Sequence, residues 1–147
     1  MLSGVIGLAG PYDFLPLTDP VYMNIFGPEE GWPASQPINY VTNRAPPIFL
    51  ATGKTDDLVD PGNSHRLAER LRGAGNEVIV KVYPRAGHMT IIGAFATQLG
   101  LFAPVRSDVL DFIAAHTVVK HDVIAAIYRR KMLGGRISQP GFSNASA

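Results

Sequence analysis

The chain has no cysteine in its 147 residues. That excludes a disulfide framework and a thiolate metal site, and it is compatible with a reducing compartment. Charge is sparse and nearly balanced, at 17% charged residues and a net charge of +1. Binding driven by nucleic-acid phosphates needs a clustered basic surface, and the nearest approach is Arg129-Arg130-Lys131, which reads as a solvated helix end. A membrane-spanning run is also lacking: the longest uncharged stretch, Thr90 to Val105, covers 16 residues and contains Gln98 and Pro104. A spanning helix needs about 20 predominantly apolar residues. Met1 to Ile6 carries no basic segment before its few apolar residues, so no signal peptide is expected and the expected location is cytoplasmic. No internal repeat is visible, and no His/Asp/Glu set has metal-ligand spacing, so neither a metal nor another cofactor is expected.

What is present is the composition of a folded domain, with 46% hydrophobic residues. A complete domain of this length buries roughly 70% of its unfolded surface. The apolar residues fall into short continuous runs separated by polar turns. Ile48-Phe49-Leu50-Ala51 lacks the alternation of a half-exposed strand and suits a central parallel strand buried on both faces. Gly4 to Ala9 reads as a second buried strand, ended by Gly10-Pro11. Glu77 to Tyr83 is the third, with Val78, Val80 and Val82 on one face and Ile79, Lys81 and Tyr83 on the other. Its partly charged face places it near a sheet edge.

Between the first two strands lies a long excursion, residues 12–47, in which prolines at 16, 20, 28, 33, 37, 46 and 47 interrupt regular structure. Only Val21 to Phe26, after Asp19-Pro20, has room for a helical turn or two. Long connections of this kind carry lids or pocket walls. Its aromatics, Tyr12, Phe14, Tyr22, Phe26, Trp32 and Tyr40, either line such a pocket or pack the excursion onto the domain, and the usual burial of aromatics favours packing.

After the central strand, Asp60 is the expected N-cap and Pro61 the first helical residue of a helix that carries Leu67, Ala68 and Leu71 on one stripe and stops at Gly73 to Gly75. A turn, Pro84 to Gly87, delivers His88, and a largely apolar segment follows to Phe102. The next helix, about Val105 to His116, sets Val105, Val109, Phe112 and Ile113 on one side. Strand, helix, strand, loop, helix is the order of a parallel α/β unit, connected right-handedly. The expected organisation is an α/β domain over residues 1–117, a helical extension over 118–133 and a disordered tail over 134–147.

Asp56 follows one strand and His88 the next, 32 residues later. In a parallel pair both side chains then sit at the same, carboxyl end of neighbouring strands, where open α/β sheets place their sites. A carboxylate there can accept a hydrogen bond from one imidazole nitrogen, fixing the tautomer and favouring the imidazolium, which is the base half of a triad. Taken singly, Asp56 reads as a turn acid holding the Leu58 or Val59 amide and His88 as a surface loop histidine; their strand contexts together favour the pairing. Asp57 is assigned to solvent or a turn, Asp60 to the helix cap, and His65 to a solvated helical position. His116 and His121, at or beyond a helix end, are explained by the helix dipole. Gly53-Lys54-Thr55 imitates the end of a phosphate loop, but the first glycine of that motif would fall at Ile48, inside the strand, so nucleotide binding is not expected.

The ordered pattern Gly53-x-x-Asp56-x-x-Val59, a helix, a strand and then Gly87-His88 resembles the carboxyl-terminal third of α/β-hydrolases. Gly10 to Leu17 (GPYDFLPL) and Pro37 to Val41 (PINYV) are similar to segments of the esterase, lipase and prolyl-oligopeptidase-like branch. The resemblance covers roughly Gly4 to His116. It implies part of an α/β-hydrolase fold and a serine hydrolase acting on a carboxylic ester or related acyl bond of a small molecule, without a cofactor, with Asp56 as orienting acid and His88 as general base. In that family the chain order is nucleophile, acid, base.

The departure is a missing nucleophile. No Gly-x-Ser-x-Gly turn precedes Asp56; Ser3 and Ser35 lack the glycines, and Gly141 to Ala145, with Ser143, follows the histidine with no strand before it. The His-Gly-Gly oxyanion segment is absent too. The sequence therefore resembles the last part of a hydrolase, with acid and base but no nucleophile. Uncovered apolar surface is the expected consequence, and with it a chain that self-associates or is complemented by the missing half. A non-catalytic binding module, or an inactive relic, on the same scaffold is the alternative reading.

Overall fold

Ile48–Gly53 forms β2, the only described strand buried at every position. The computed structural model describes residues 2–95 and 104–117. Apolar side chains on consecutive residues can all be buried only when both faces of the sheet are covered and both edges of the strand are paired. Those conditions hold here: β2 lies between β1 (Val5–Leu8) and β3 (Val78–Tyr83), parallel to both, with Ile48 opposite Val5 and Val78.

Each face of β2 has its own core. Ile48 and Leu50 point into a cluster with Leu67, Ala68 and Leu71 of α2 (Gly62–Gly73), against which Tyr12, Ile38 and Val41 of the excursion also pack. Phe49 and Ala51 point the other way, toward Ile91 of α3 (His88–Gly93) and Val105, Val109 and Phe112 of α4 (Val105–His116). The result is three parallel strands between helical layers, consistent with a partial α/β-hydrolase fold. The excursion adds one short helix, Pro20–Phe26, and two 3₁₀ segments, Glu29–Ser35 and Pro37–Tyr40.

Four local expectations change. The first strand is not buried: Val5 and Ile6 are 38% and 36% exposed, because no described strand pairs with the outer side of β1. Asp60 and Pro61 sit one residue earlier than expected, since α2 starts at Gly62 with Pro61 as its N-cap. Asp60 still serves the helix start, accepting the Gly62 amide at 2.9 Å. The segment after Gly87 is not a loop at first but the six-residue α3, whose amides at Thr90 and Ile91 donate to the Gly87 carbonyl. On α4, Ile113 is 41% exposed and only Val105, Val109 and Phe112 are buried, so the covered stripe is narrower than the apolar pattern. The expected extension over 118–133, the tail over 134–147, His121 and Ser143 lie outside the described residues.

Two polar contacts tie α4 to the sheet. The Tyr83 hydroxyl donates to Asp108 Oδ2 at 2.7 Å, and Lys81 Nζ lies 3.6 Å from Asp108 Oδ1. Burial first, and then the Asp108 carboxylate, push the Tyr83 phenol above its ordinary range and keep it a donor.

Candidate active site

The loops leaving β2 and β3 are joined to each other before either reaches its polar residue. Lys54 N–H donates to the Tyr83 carbonyl at 3.0 Å, and Thr55 donates to the Ala86 carbonyl through both its amide, at 3.2 Å, and its hydroxyl, at 3.0 Å. Gly53 makes this approach possible: a Cβ at that position would overlap the Ala86 carbonyl. A glycine closing a buried strand thus fixes the separation of the two loops.

The consequence is direct contact between Asp56 and His88. His88 Nδ1 lies 3.0 Å from Asp56 Oδ2. The Asp56 side chain is wholly enclosed, and its second oxygen, Oδ1, accepts the amides of Leu58 at 3.0 Å and Val59 at 2.9 Å. A buried carboxylate is stable only when its lone pairs are met by donors, and here three N–H groups can do so. Asp56 therefore makes the turn contact and the imidazole contact at once, one on each oxygen. Held this way, the carboxylate requires a proton on His88 Nδ1 and leaves Nε2 as the free acceptor in the neutral ring.

The other candidates separate from this pair. Asp57 is exposed, and His65 is exposed on α2. Asp60 pairs with Arg66 at 3.3 Å; the Gly62 amide, chiefly, holds its carboxyl below the ordinary range. His116 is held by more than a helix dipole: Nδ1 donates to the Phe112 carbonyl at 2.8 Å and Nε2 lies 3.1 Å from Glu77 Oε1. Ser35 donates to the Trp32 carbonyl at 2.7 Å, and among the described residues no serine hydroxyl is hydrogen-bonded to His88. No group of described residues has the composition of a metal site.

Several residues that shape the site are not singled out by the sequence. Asn63 Oδ1 accepts the amides of Tyr12 at 2.9 Å and Asp13 at 2.7 Å, fastening the start of the excursion to α2. Gln36, also buried, accepts the Phe14 amide at 2.7 Å. Arg66 reaches Asp13 Oδ2 at 2.6 Å from the other side. A buried amide side chain gives no signal by periodicity, since its partners lie tens of residues away. Beside the Asp56 turn a cavity of about 660 Å³ opens, walled by Phe14, Tyr22 and Phe26 of the excursion and by Leu58 and Val59. The six excursion aromatics thus divide: these three line a pocket, Tyr12 packs against the α2 side of the core, Trp32 is buried, and Tyr40 is exposed.

Comparison with known proteins follows the same architecture. The model of the prolyl oligopeptidase family matches residues 5–117. No curated protein matches. Among solved structures, Thermogutta terrifontis esterase 2 phosphoramylated by tabun aligns at 18% identity with a TM-score of 0.52, over 66% of this chain and 36% of that one. A truncated form of a carbohydrate esterase from gut microbiota aligns at 28% identity with a TM-score of 0.49, over 60% of this chain and 28% of that one. The chain spans between 28% and 36% of the length of these two structures.

Proposed function

The chain belongs to the prolyl oligopeptidase family of the α/β-hydrolase superfamily, and on that premise we propose that Asp56 and His88 are the acid and base of a serine hydrolase acting on carboxylic esters or related acyl bonds. The observation that carries this reading is the 3.0 Å contact between His88 Nδ1 and Asp56 Oδ2 at the carboxyl ends of two adjacent parallel strands. In the proposed reaction His88 Nε2 removes the proton of a serine hydroxyl as its oxygen attacks the acyl carbon. The imidazolium so formed is stabilised by Asp56 and then returns the proton to the leaving group. Water, activated by the same nitrogen, releases the acid from the acyl-serine.

The nucleophile is proposed to come from a segment outside this sequence. Its strand would add to the outer edge of β1. In support, the Val5 and Ala9 amides donate to Pro47 and Ala51 of the central layer, so the alternate amides of Ile6 and Leu8 face away from β2. Without such a segment the chain is expected to associate with itself through the same edge.

The test is co-expression with a segment bearing a Gly-x-Ser-x-Gly turn, followed by a fluorophosphonate probe and p-nitrophenyl acetate. Serine labelling and ester turnover that fall at least about 100-fold in His88→Ala are expected. Undiminished labelling in that variant would overturn the role of His88. A folded complex that stays silent would favour a non-catalytic module, a reading that draws on the lack of any described serine at His88.

A further inference from the structure

The cavity beside the Asp56 turn has a chemistry of its own. It lies where the chain leaves β1 and β2, since its walls are Pro11, Phe14 and the Pro16–Asp19 stretch on one side and Leu58 and Val59 on the other. At about 660 Å³ it falls within the range of small-molecule sites. Phe14 and Phe26 meet there with ring centroids 5.4 Å apart and planes tilted by 53°, and Tyr22 adds a third ring. No lysine, arginine or histidine is among the lining residues, and the one ionisable acid is Asp19. Asp19 Oδ1 is engaged with the Val21 amide at 2.7 Å, so its charge stays at the wall and opposes an anion.

We propose that this cavity holds an uncharged aromatic portion of the substrate. Tilted rings leave edges and faces that a planar ring can meet in offset or edge-to-face contact, and an aliphatic chain gains only area from such walls. The link to chemistry is Leu58 and Val59, whose side of the turn walls the cavity and whose amides are held by Asp56 Oδ1. In this respect the inference rests on the acid and base assignment above; the binding itself does not.

Two probes of one shape and different charge test it. By ligand-observed saturation-transfer NMR at pH 7, 2-naphthol is expected to bind with a dissociation constant of about a millimolar or below, as suits a fragment of its size. Naphthalene-2-carboxylate should bind about tenfold more weakly. Asp19→Asn keeps the acceptor for the Val21 amide and removes the charge, and it should narrow that gap at least about threefold. Phe26→Leu, which removes one ring and keeps an apolar wall, should weaken 2-naphthol at least about threefold in a protein whose circular dichroism is unchanged; if it unfolds the chain, the half-exposed Tyr22→Leu serves the same purpose. Equal binding of the two probes to the natural chain, or 2-naphthol binding indifferent to the loss of either ring, would overturn the proposal. The His88 tautomer, read in the same samples, keeps the two readings apart. Naphthol binding without an Nδ1-protonated His88 strikes the acid and base assignment alone, and an Nδ1-protonated His88 without naphthol binding strikes the cavity alone.

Discussion

Asp56 divides its carboxylate between two loops: Oδ2 faces His88 Nδ1 at 3.0 Å, and Oδ1 holds the Leu58 and Val59 amides of its own turn. An asparagine can satisfy only one of these demands, because it has one acceptor oxygen. In Asp56→Asn the two amides should keep that oxygen, turning the amide NH₂ toward His88. The ring is then expected to switch from the Nδ1-protonated to the Nε2-protonated tautomer, visible in long-range ¹H–¹⁵N correlation spectra, with stability reduced by only about 1–2 kcal/mol. The same tautomer in both proteins would sink the pairing.

Gly53→Ala should be among the most damaging single-methyl changes in the chain. The added carbon meets the backbone of Ala86, which cannot yield without moving the turn that delivers His88. A loss of about 2–4 kcal/mol is expected in urea unfolding, together with loss of the Nδ1-protonated tautomer. Gly73→Ala is the control, since nothing lies near its added carbon.

Asn63→Ala removes the acceptor shared by the Tyr12 and Asp13 amides. Amides left partly buried without partners should cost about 1–3 kcal/mol in urea unfolding. Because these residues lead into Phe14 of the cavity wall, 2-naphthol affinity should fall with stability, whereas the His88 tautomer should persist.

The His116 contacts give stability a pH dependence of definite sign. The Phe112 carbonyl first, and Glu77 second, raise the His116 pKa above the ordinary 6.5. The folded state therefore holds this proton more tightly than the unfolded chain. The contribution is complete below the unfolded value and is lost as pH rises through the higher folded value. The melting temperature should decline as pH rises above the ordinary histidine value of 6.5, and Glu77→Gln or His116→Ala should flatten that decline. An unchanged slope in both variants would refute it.

Association should depend on the edge of β1. Sedimentation velocity is expected to show concentration-dependent growth in size, suppressed when Ile6→Lys places a charge on that strand. A monodisperse, cooperatively melting monomer of the natural chain would count against the proposed complementation.

The sequence by itself determined the three strands and the helices Gly62–Gly73 and Val105–His116 in their order, because short continuous apolar runs and glycine stops act over a few residues, but it held no sign of the short helix His88–Gly93. The apolar continuity of Ile48–Gly53, the apolar stripe of Leu67, Ala68 and Leu71, and the placing of Asp56 and His88 each just after a strand all follow from such local signals. Only the tertiary structure decided which atoms meet: that Asp56 serves the turn and the imidazole together, that Asn63 and Gln36 anchor the excursion, and that Val5, Ile6 and Ile113 are uncovered. Periodicity reports which side of an element is apolar. Whether that side is covered, and which distant polar group a loop meets, depends on strand register and loop path, which arise only when the layers pack.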